Sequence, residues 1–482
     1  MIGLRSICAL VASLAILCAC VAKDVGPINL VGSDAPPPTP KFIADDGDDG
    51  STVMALAFSG GGMRAAAFSY GVLTALDDIV IDEIPYRRSM VDNIRMMSGV
   101  SGGAVVAAYF GYKGRNDYRD LDRRFLHQNP EATMRTSKLS PVALSRALSG
   151  GVNDRSSFAR WLDNNLFDRA EFARFRWPNA PTIWINASDI YNRTPFLFTY
   201  DTFAALCSDL DKVRIADAVA ASAAFPVVFS PVVLQAKRTR CDYSRPDWLT
   251  QALADRRHSI RLQAYAEALE AYQRNPDLNY VRLLDGGLTD NLGVTGFVLE
   301  RAAADSPHGP LSAEQAVKLR HFIFVIADAG RGQTESWSRD MNNLPIGKLL
   351  LAATATSMSA SLRDEIDALR QAVSIWHDQL VKYRCGLSLD QVRRIRGTTA
   401  GWNCRDVDTT VEHLSFSDLD PETAMELNRI PTRLTLPASE VDRLVAAGRR
   451  VVARNDHLSG AVADVRRSAG VSERELFPHA ER

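Results

Sequence analysis

The sequence lacks an excess of charge of either sign. Its 482 residues include 56 lysines and arginines against 57 aspartates and glutamates, a formal net charge of −1. Proteins that bind nucleic acid or an anionic surface through charge usually carry a strong positive field. The composition therefore predicts no nucleic-acid partner. The length and the 46% hydrophobic content predict two or three domains with a sizeable core.

Metal-binding patterns and internal repeats are missing as well. The cysteines beyond the N-terminus form no Cys-x-x-Cys pair and have no histidine pattern beside them. No segment places oxygen ligands at the spacing of an EF-hand. The sequence thus predicts neither a metal nor another cofactor.

The N-terminus contains an apolar run that is too short to span a bilayer comfortably. Arg5 supplies a positive charge and residues 7–19 are mostly apolar, which is typical of an export signal. The sequence Leu17-Cys18-Ala19-Cys20 resembles a bacterial lipobox, so we expect removal of residues 1–19 and lipidation of Cys20. This predicts an exported lipoprotein of the bacterial cell envelope, anchored to a membrane and facing the periplasm. A plain secretory signal and a cytosolic protein with an apolar start are the alternatives.

Residues 20–51 have the composition of a tether. Pro36–Pro40 and Asp45–Gly50 cannot bury apolar area and are expected to be extended and mobile. Such a tether would let a folded catalytic unit move over the membrane that holds its lipid anchor.

Short apolar runs alternate with helical or loop segments after the tether. This alternation predicts an α/β fold with a mainly parallel sheet covered on both faces, over residues 52–330. The predicted strands include residues 53–58, 94–97, 182–185, 281–284 and 321–326.

Strand-like runs fade after residue 330. Long helices are predicted at 349–376 and 440–455, and the second has an apolar stripe that suits core packing. We therefore expect residues 331–482 to form a helical region that packs on the α/β domain.

Two glycine-rich turns carry the clearest chemical signal. Ser59–Arg64 follows the first predicted strand, and Gly99-Val100-Ser101-Gly102-Gly103 follows another. In a Gly-x-Ser-x-Gly turn the serine projects above the sheet, and glycines such as Gly99 and Gly103 leave room for the neighbouring backbone. Ser101 is therefore predicted to be a nucleophile for acyl transfer.

Acyl transfer also needs donors for the oxyanion and a base. Backbone N–H groups at a helix start are preorganised donors, so Gly60, Gly61 and Gly62, together with Arg64, are predicted to form the oxyanion hole. The sequence leaves two roles open for Arg64, holding the glycine loop in place and binding substrate. Asp285 ends an apolar strand before two glycines and is the candidate base, although Asp-Gly is more often an ordinary turn. A carboxylate base requires a partly desolvated site that raises its pKa.

These segments resemble the patatin-like phospholipases. The similarity rests on Ser59–Arg64, Gly99–Gly103, Asp285–Gly287 and Ala221–Pro231, and it covers about residues 53–329. It implies a three-layer α/β/α sandwich that cleaves acyl esters of phospholipids or lysophospholipids through a Ser-Asp dyad without histidine. Ser101 would be the nucleophile and Asp285 the base. Ala65 stands where many bacterial members of this family have glycine. With alanine there, the motif is closer to that of the related cytosolic phospholipases.

Two other functions remain open on the sequence. One is an α/β-hydrolase esterase with a Ser-Asp-His triad, in which His308 lies in a plausible loop after Asp285. The other is a catalytically idle lipoprotein that binds lipid or assembles with envelope partners. The sequence gives no oligomeric state.

Four cysteines remain if the signal is removed and Cys20 is lipidated. An oxidising compartment would favour their pairing. Of the three connectivities, the sequence-local one, Cys207 with Cys241 and Cys385 with Cys404, is the one we favour.

Overall fold

The computed structural model describes most of the chain between the predicted tether and residue 468. The predicted signal peptide and Cys20 lie outside the described residues. Those residues are 26–32, 48–83, 86–134, 157–177, 180–226, 228–236, 241–255, 259–330, 332 and 346–468.

A mixed eight-stranded sheet forms the centre of the molecule. Five parallel strands run in the order β10-β9-β1-β4-β5, then β8 and β7 continue the sheet in antiparallel pairings, and β6 pairs with β5. A separate hairpin joins β2 and β3. The strands are β1 (Thr52–Phe58), β2 (Val80–Asp82), β3 (Arg88–Ser89), β4 (Ile94–Val100), β5 (Thr182–Asp189), β6 (Thr194–Leu197), β7 (Val232–Gln235), β8 (Tyr280–Asp285), β9 (His321–Asp328) and β10 (Asp408–Ser415).

Helices cover both faces of this sheet, which confirms the predicted α/β class. They are α1 (Gly62–Asp78), α2 (Gly102–Lys113), α3 (Ser157–Leu162), α4 (Tyr200–Ala205), α5 (Ile215–Ser222), α6 (Asp247–Ala254), α7 (Ile260–Arg274), α8 (Thr295–Ala302), α9 (Ala313–Lys318), α10 (Ile346–Cys385), α11 (Leu389–Arg396), α12 (Pro421–Arg429), α13 (Ala438–Arg454) and α14 (Asp456–Ser468). None of the helices in the described ranges is both long and apolar enough to cross a membrane.

Strand β1 shows why the sheet needs cover on both sides. All seven of its residues are buried, as expected for a central parallel strand. Met54, Leu56 and Phe58 point into a core that includes α1, α2 and α13. Val53, Ala55 and Ala57 point into a second core with α8 and α10. The alternation of side chains along one strand thus produces three layers.

The C-terminal region is helical, as predicted, but it also supplies a strand. Strand β10 pairs in parallel with β9 from Asp408 opposite His321 to Ser415 opposite Asp328. Its sequence is polar and mostly half-buried, because it forms one edge of the sheet. Strand β10 therefore lacks the apolar run that predicts the other strands.

Helix α13 crosses α1 at very short range. A Cβ on Gly448 would lie 2.2 Å from the carbonyl oxygen of Phe68, and one on Gly71 would lie 2.2 Å from that of Val445. Only glycine permits such an approach of two backbones. The C-terminal region therefore packs directly on the helix that follows the first glycine-rich turn.

Part of the predicted tether packs on the folded domain. The Asn29 side chain donates to the Gln235 carbonyl oxygen at 2.9 Å and accepts the Gln235 N–H at 2.8 Å, so it replaces a strand partner at the edge of β7. The Asp48 carboxylate is buried beside Arg88 and Arg95. These residues differ from the expectation of an extended, mobile segment, because their polar groups complete hydrogen bonds and ion pairs of the core.

The described residues contain two disulfides, Cys207–Cys241 and Cys385–Cys404. These are the two sequence-local pairs. The second joins the end of α10 to the segment that leads into β10.

Candidate active site

Ser101 occupies the sharp turn between β4 and α2. Its φ of 51° and ψ of −117° are an unusual backbone conformation for a residue other than glycine. A Cβ on Gly99 would lie 2.6 Å from the Gly103 carbonyl oxygen, and one on Gly103 would lie 2.4 Å from that of Phe58. The turn therefore requires glycine at both positions, as expected of a nucleophile elbow.

Two buried polar side chains hold this turn. The Ser101 N–H donates to Ser222 Oγ at 2.8 Å, and Ser222 Oγ donates to the Asn186 carbonyl oxygen at 2.6 Å. Asn186 Nδ2 donates to Ser98 Oγ at 2.8 Å and to the Gly99 carbonyl oxygen at 2.9 Å. Because Ser222 and Asn186 are fully buried, these bonds fix the backbone of Ser101 from α5 and β5.

The register of three strands brings Asp285 beside Ser101. Val100, the last residue of β4, pairs with Asn186 of β5, and the next residue, Ala187, pairs with Asp285 of β8. The Ser101 side chain is close enough to Asp285 to lower the pKa of its carboxyl group. Both side chains are buried, with 6% and 5% exposure, respectively.

Burial gives Asp285 the pKa that a base needs near neutral pH. Desolvation raises the pKa of Asp285 from 3.8 to about 6, although the hydrogen bond from the Gly287 N–H and the nearby Ser101 hydroxyl lower it. The Gly287 bond measures 2.9 Å. Above pH 6 the carboxylate is therefore largely deprotonated and can accept the serine proton.

The glycine loop offers fewer oxyanion donors than the sequence suggested. The Gly60 N–H donates to the Asn291 carbonyl oxygen at 3.0 Å, and the Met63 N–H donates to that of Arg433 at 2.7 Å. Gly61 and Gly62 have positive φ angles of 145° and 61°, and within the described part of the chain their N–H groups have no backbone partner. The Gly60 N–H is thus already bonded, whereas those of Gly61 and Gly62 are available as donors, and the role of the loop as an oxyanion hole stays a prediction.

Arg64 holds a C-terminal segment against the glycine loop. Its Nη1 donates to the Ile430 carbonyl oxygen at 3.0 Å, and the residue is 2% exposed. The segment from Ile430 to Pro437, here called the C-terminal strap, also brings Arg433 onto the start of α1. Glu131 fastens it by pairing with the Arg433 guanidinium and by accepting the Leu434 N–H at 2.9 Å. These contacts are those expected of the loop-holding role of Arg64.

His308 lies in a different environment from Ser101. Its Nδ1 is 2.8 Å from the Leu311 carbonyl oxygen, and its ring packs 4.6 Å from that of Tyr383. Across the described residues, no histidine hydrogen bonds to Ser101 or Asp285, and no group of three or more metal-ligating side chains gathers in one place. The geometry thus favours a two-residue arrangement over the triad.

A family model for patatin-like phospholipases matches residues 56–298, about half of the chain. The chain belongs to this family. The match includes the glycine loop, Ser101 and Asp285. No curated protein sequence matched the chain.

Two solved structures, one human and one bacterial, are similar to this chain. Human GIVD cytosolic phospholipase A2 shares 13% identity at a TM-score of 0.38, over 88% of this patatin-like chain and 61% of its own. The chain thus spans about three-fifths of the human protein. VipD from Legionella pneumophila shares 14% identity at a TM-score of 0.31, over 86% of this chain and 67% of its own.

Several residues around the site had no assigned role in the sequence analysis. Ser222 lies within the Ala221–Pro231 segment, where the sequence shows only a resemblance to the family. Asn186 is a fully buried polar residue of β5, and a buried polar group of this kind signals a required hydrogen bond. Asn291 and Arg433 had no comparable local signal.

Proposed function

We propose that this patatin-like protein cleaves acyl esters of phospholipids or lysophospholipids with Ser101 as nucleophile and Asp285 as base. The observation that carries the proposal is the strand register that brings Ser101 beside a buried Asp285, whose pKa is raised to about 6. A carboxylate with that pKa is deprotonated at neutral pH yet basic enough to assist a hydroxyl.

In the first half-reaction, Ser101 Oγ attacks the ester carbonyl carbon and its proton moves to Asp285. The N–H groups of Gly61 and Gly62 would stabilise the oxyanion of the tetrahedral intermediate, and loss of one such donor costs about 3 to 4 kcal/mol. The carbon–oxygen bond to the leaving alcohol then breaks, and Asp285 returns the proton to that oxygen. The acyl group is left on Ser101.

In the second half-reaction, water attacks the acyl-enzyme. Asp285 takes the water proton as the new carbon–oxygen bond forms. Breakdown of the second intermediate releases the fatty acid, and Asp285 returns its proton to Ser101 Oγ. The enzyme is thereby restored without net change in its own protonation.

Delivery to the membrane is the second part of the proposal. Lipidation of Cys20, supported by the lipobox-like sequence, would anchor the protein in the bacterial envelope facing the periplasm. More than one acyl chain is needed for durable anchoring, and the residues between Cys20 and β1 would keep the site close to its substrate.

The test combines a fluorophosphonate label with product analysis. Purified wild type should be labelled at Ser101 and should release fatty acid from phospholipid or lysophospholipid vesicles. Ser101→Ala should lose both properties, while Ser459→Ala, a change on an exposed face of α14, should retain both. Wild type that binds vesicles but shows neither labelling nor release would indicate an idle lipid-binding protein instead.

A further inference from the structure

Glu365 is a buried carboxyl group in a helix outside the family match. It lies in α10, with 1% exposure, and its neighbours along that helix, such as Leu369, belong to the second core. Burial, together with the nearby Asp290 carboxylate, raises the pKa of Glu365 above its ordinary value. A carboxyl group in such a place is costly unless its hydrogen bonds serve a purpose.

Its hydrogen bonds reach the loop that follows the proposed base. The Glu365 carboxylate accepts the N–H of Leu292 at 3.0 Å and that of Asn291 at 3.3 Å. A third bond comes from Ser361 Oγ on the same helix, at 2.7 Å. Glu365 therefore supplies partners for two backbone donors that belong to no strand.

Asn291, which Glu365 holds in this way, lies between the glycine loop at Gly60 and the turn that follows Asp285. Its carbonyl oxygen accepts the Gly60 N–H at 3.0 Å. Its Oδ1 lies 2.7 Å from the position a Cβ would take on Gly60, and 2.7 Å from that position on Gly287. Gly287 in turn donates its N–H to Asp285 Oδ1. Movement of Asn291 would thus change the spacing between the oxyanion loop and the base turn.

A second carboxylate holds the same loop from its other side. Asp290 is fully buried and accepts the N–H groups of Gly293, Val294 and Thr295 at 2.9 to 3.1 Å. These bonds cap the start of α8. Asp290 lies within the family match, whereas Glu365 lies in the C-terminal region beyond it. The loop is therefore also held by a residue from outside the matched part of the chain.

We infer that Glu365 is a positioning residue for acyl transfer: through Asn291 it sets the distance between the Gly61 and Gly62 amides and the Ser101–Asp285 pair. The inference rests on the proposed function. It predicts that loss of Glu365 weakens transition-state stabilisation more than substrate binding, because misplaced oxyanion donors act on the intermediate.

The experiment measures turnover per active site in Glu365→Met and Glu365→Gln. Methionine has a similar shape and removes both acceptors, while glutamine retains one carbonyl oxygen. Asp367→Asn, on an exposed face of the same helix, is the matched control. A fluorophosphonate titration counts competent sites, a short-chain ester gives kcat and KM, and thermal unfolding reports the fold.

We expect kcat per titrated site to fall about 10- to 100-fold in Glu365→Met, with KM within about twofold of wild type. Glu365→Gln should recover part of the loss, and Asp367→Asn should match wild type. Unchanged kcat per site in Glu365→Met, even with lower thermal stability, would show a purely structural role. If Glu365→Met does not fold, unchanged kcat per site in Glu365→Gln overturns the inference. Wild type without esterase activity or labelling would instead refute the proposed function, and the inference with it.

Discussion

Replacing Asp285 by asparagine should stabilise the protein above pH 6 while removing its activity. The folded-state pKa of Asp285 is about 6, against 3.8 in an exposed reference state, because burial disfavours the carboxylate. As pH rises between these values the unfolded chain loses its proton first, so the folded state becomes relatively less stable. The difference in pKa corresponds to about 3 kcal/mol, fully developed above pH 6 and largely absent below pH 4. Asparagine does not titrate and avoids this cost.

Thermal unfolding at pH 8 and at pH 4.5 tests the prediction. About 3 kcal/mol amounts to roughly 3 °C in Tm for a chain of this size. About a third of this effect is already present at pH 4.5, so the Tm difference between Asp285→Asn and wild type should be about 2 °C more favourable to the variant at pH 8 than at pH 4.5. The pKa of about 6 already includes the effects of Ser101 and of the Gly287 N–H on the carboxylate, so they need no separate correction. Asp277→Asn, at an exposed turn, should show no such pH dependence. A Tm difference that is the same at both pH values would refute the claim that Asp285 is desolvated.

Three further outcomes are expected. The kcat/KM for a short-chain ester should fall as pH drops through about 6, because protonated Asp285 cannot act as a base; a flat profile between pH 5 and 7 would contradict this. In a denaturation assay, Gly448→Ala should lower the free energy of unfolding by about 1 to 3 kcal/mol or more, since its Cβ would meet the Phe68 backbone. Gly460→Ala should be neutral or stabilising in the same assay, because a Cβ there would meet no atom within 4 Å. Cys20→Ser should leave unprocessed precursor in envelope fractions, and release of normally cut protein would disprove lipidation.

The elements around the site could be predicted where the signal is local. An apolar run followed by glycines predicted β1 and β4 together with the turns that follow them. The same reasoning located Ser101 at a strained turn. Family resemblance rather than local pattern assigned Asp285, because an Asp-Gly turn occurs in many contexts.

Other parts depend on contacts between distant segments and could not be predicted in this way. Strand β10 is polar because it lies at an edge, so it lacks the alternation of a half-buried strand. Glu365 and Arg433 reach the site from the C-terminal region, and no spacing in the sequence relates them to Gly60 or Met63. The division of the chain at residue 330 stays a prediction, since β10 and α13 pack on elements that precede it.

The three-strand register that places Asp285 beside Ser101 makes catalysis a reporter of folding. Because side chains alternate along a strand, a slip of β8 by one residue would turn Asp285 to the opposite face of the sheet. A compact but misregistered chain could retain its helices and its glycine turns and still lack the pair. Recovery of esterase activity during refolding should therefore follow the pairing of β8 with β5, and would distinguish native molecules from compact intermediates that circular dichroism cannot tell apart.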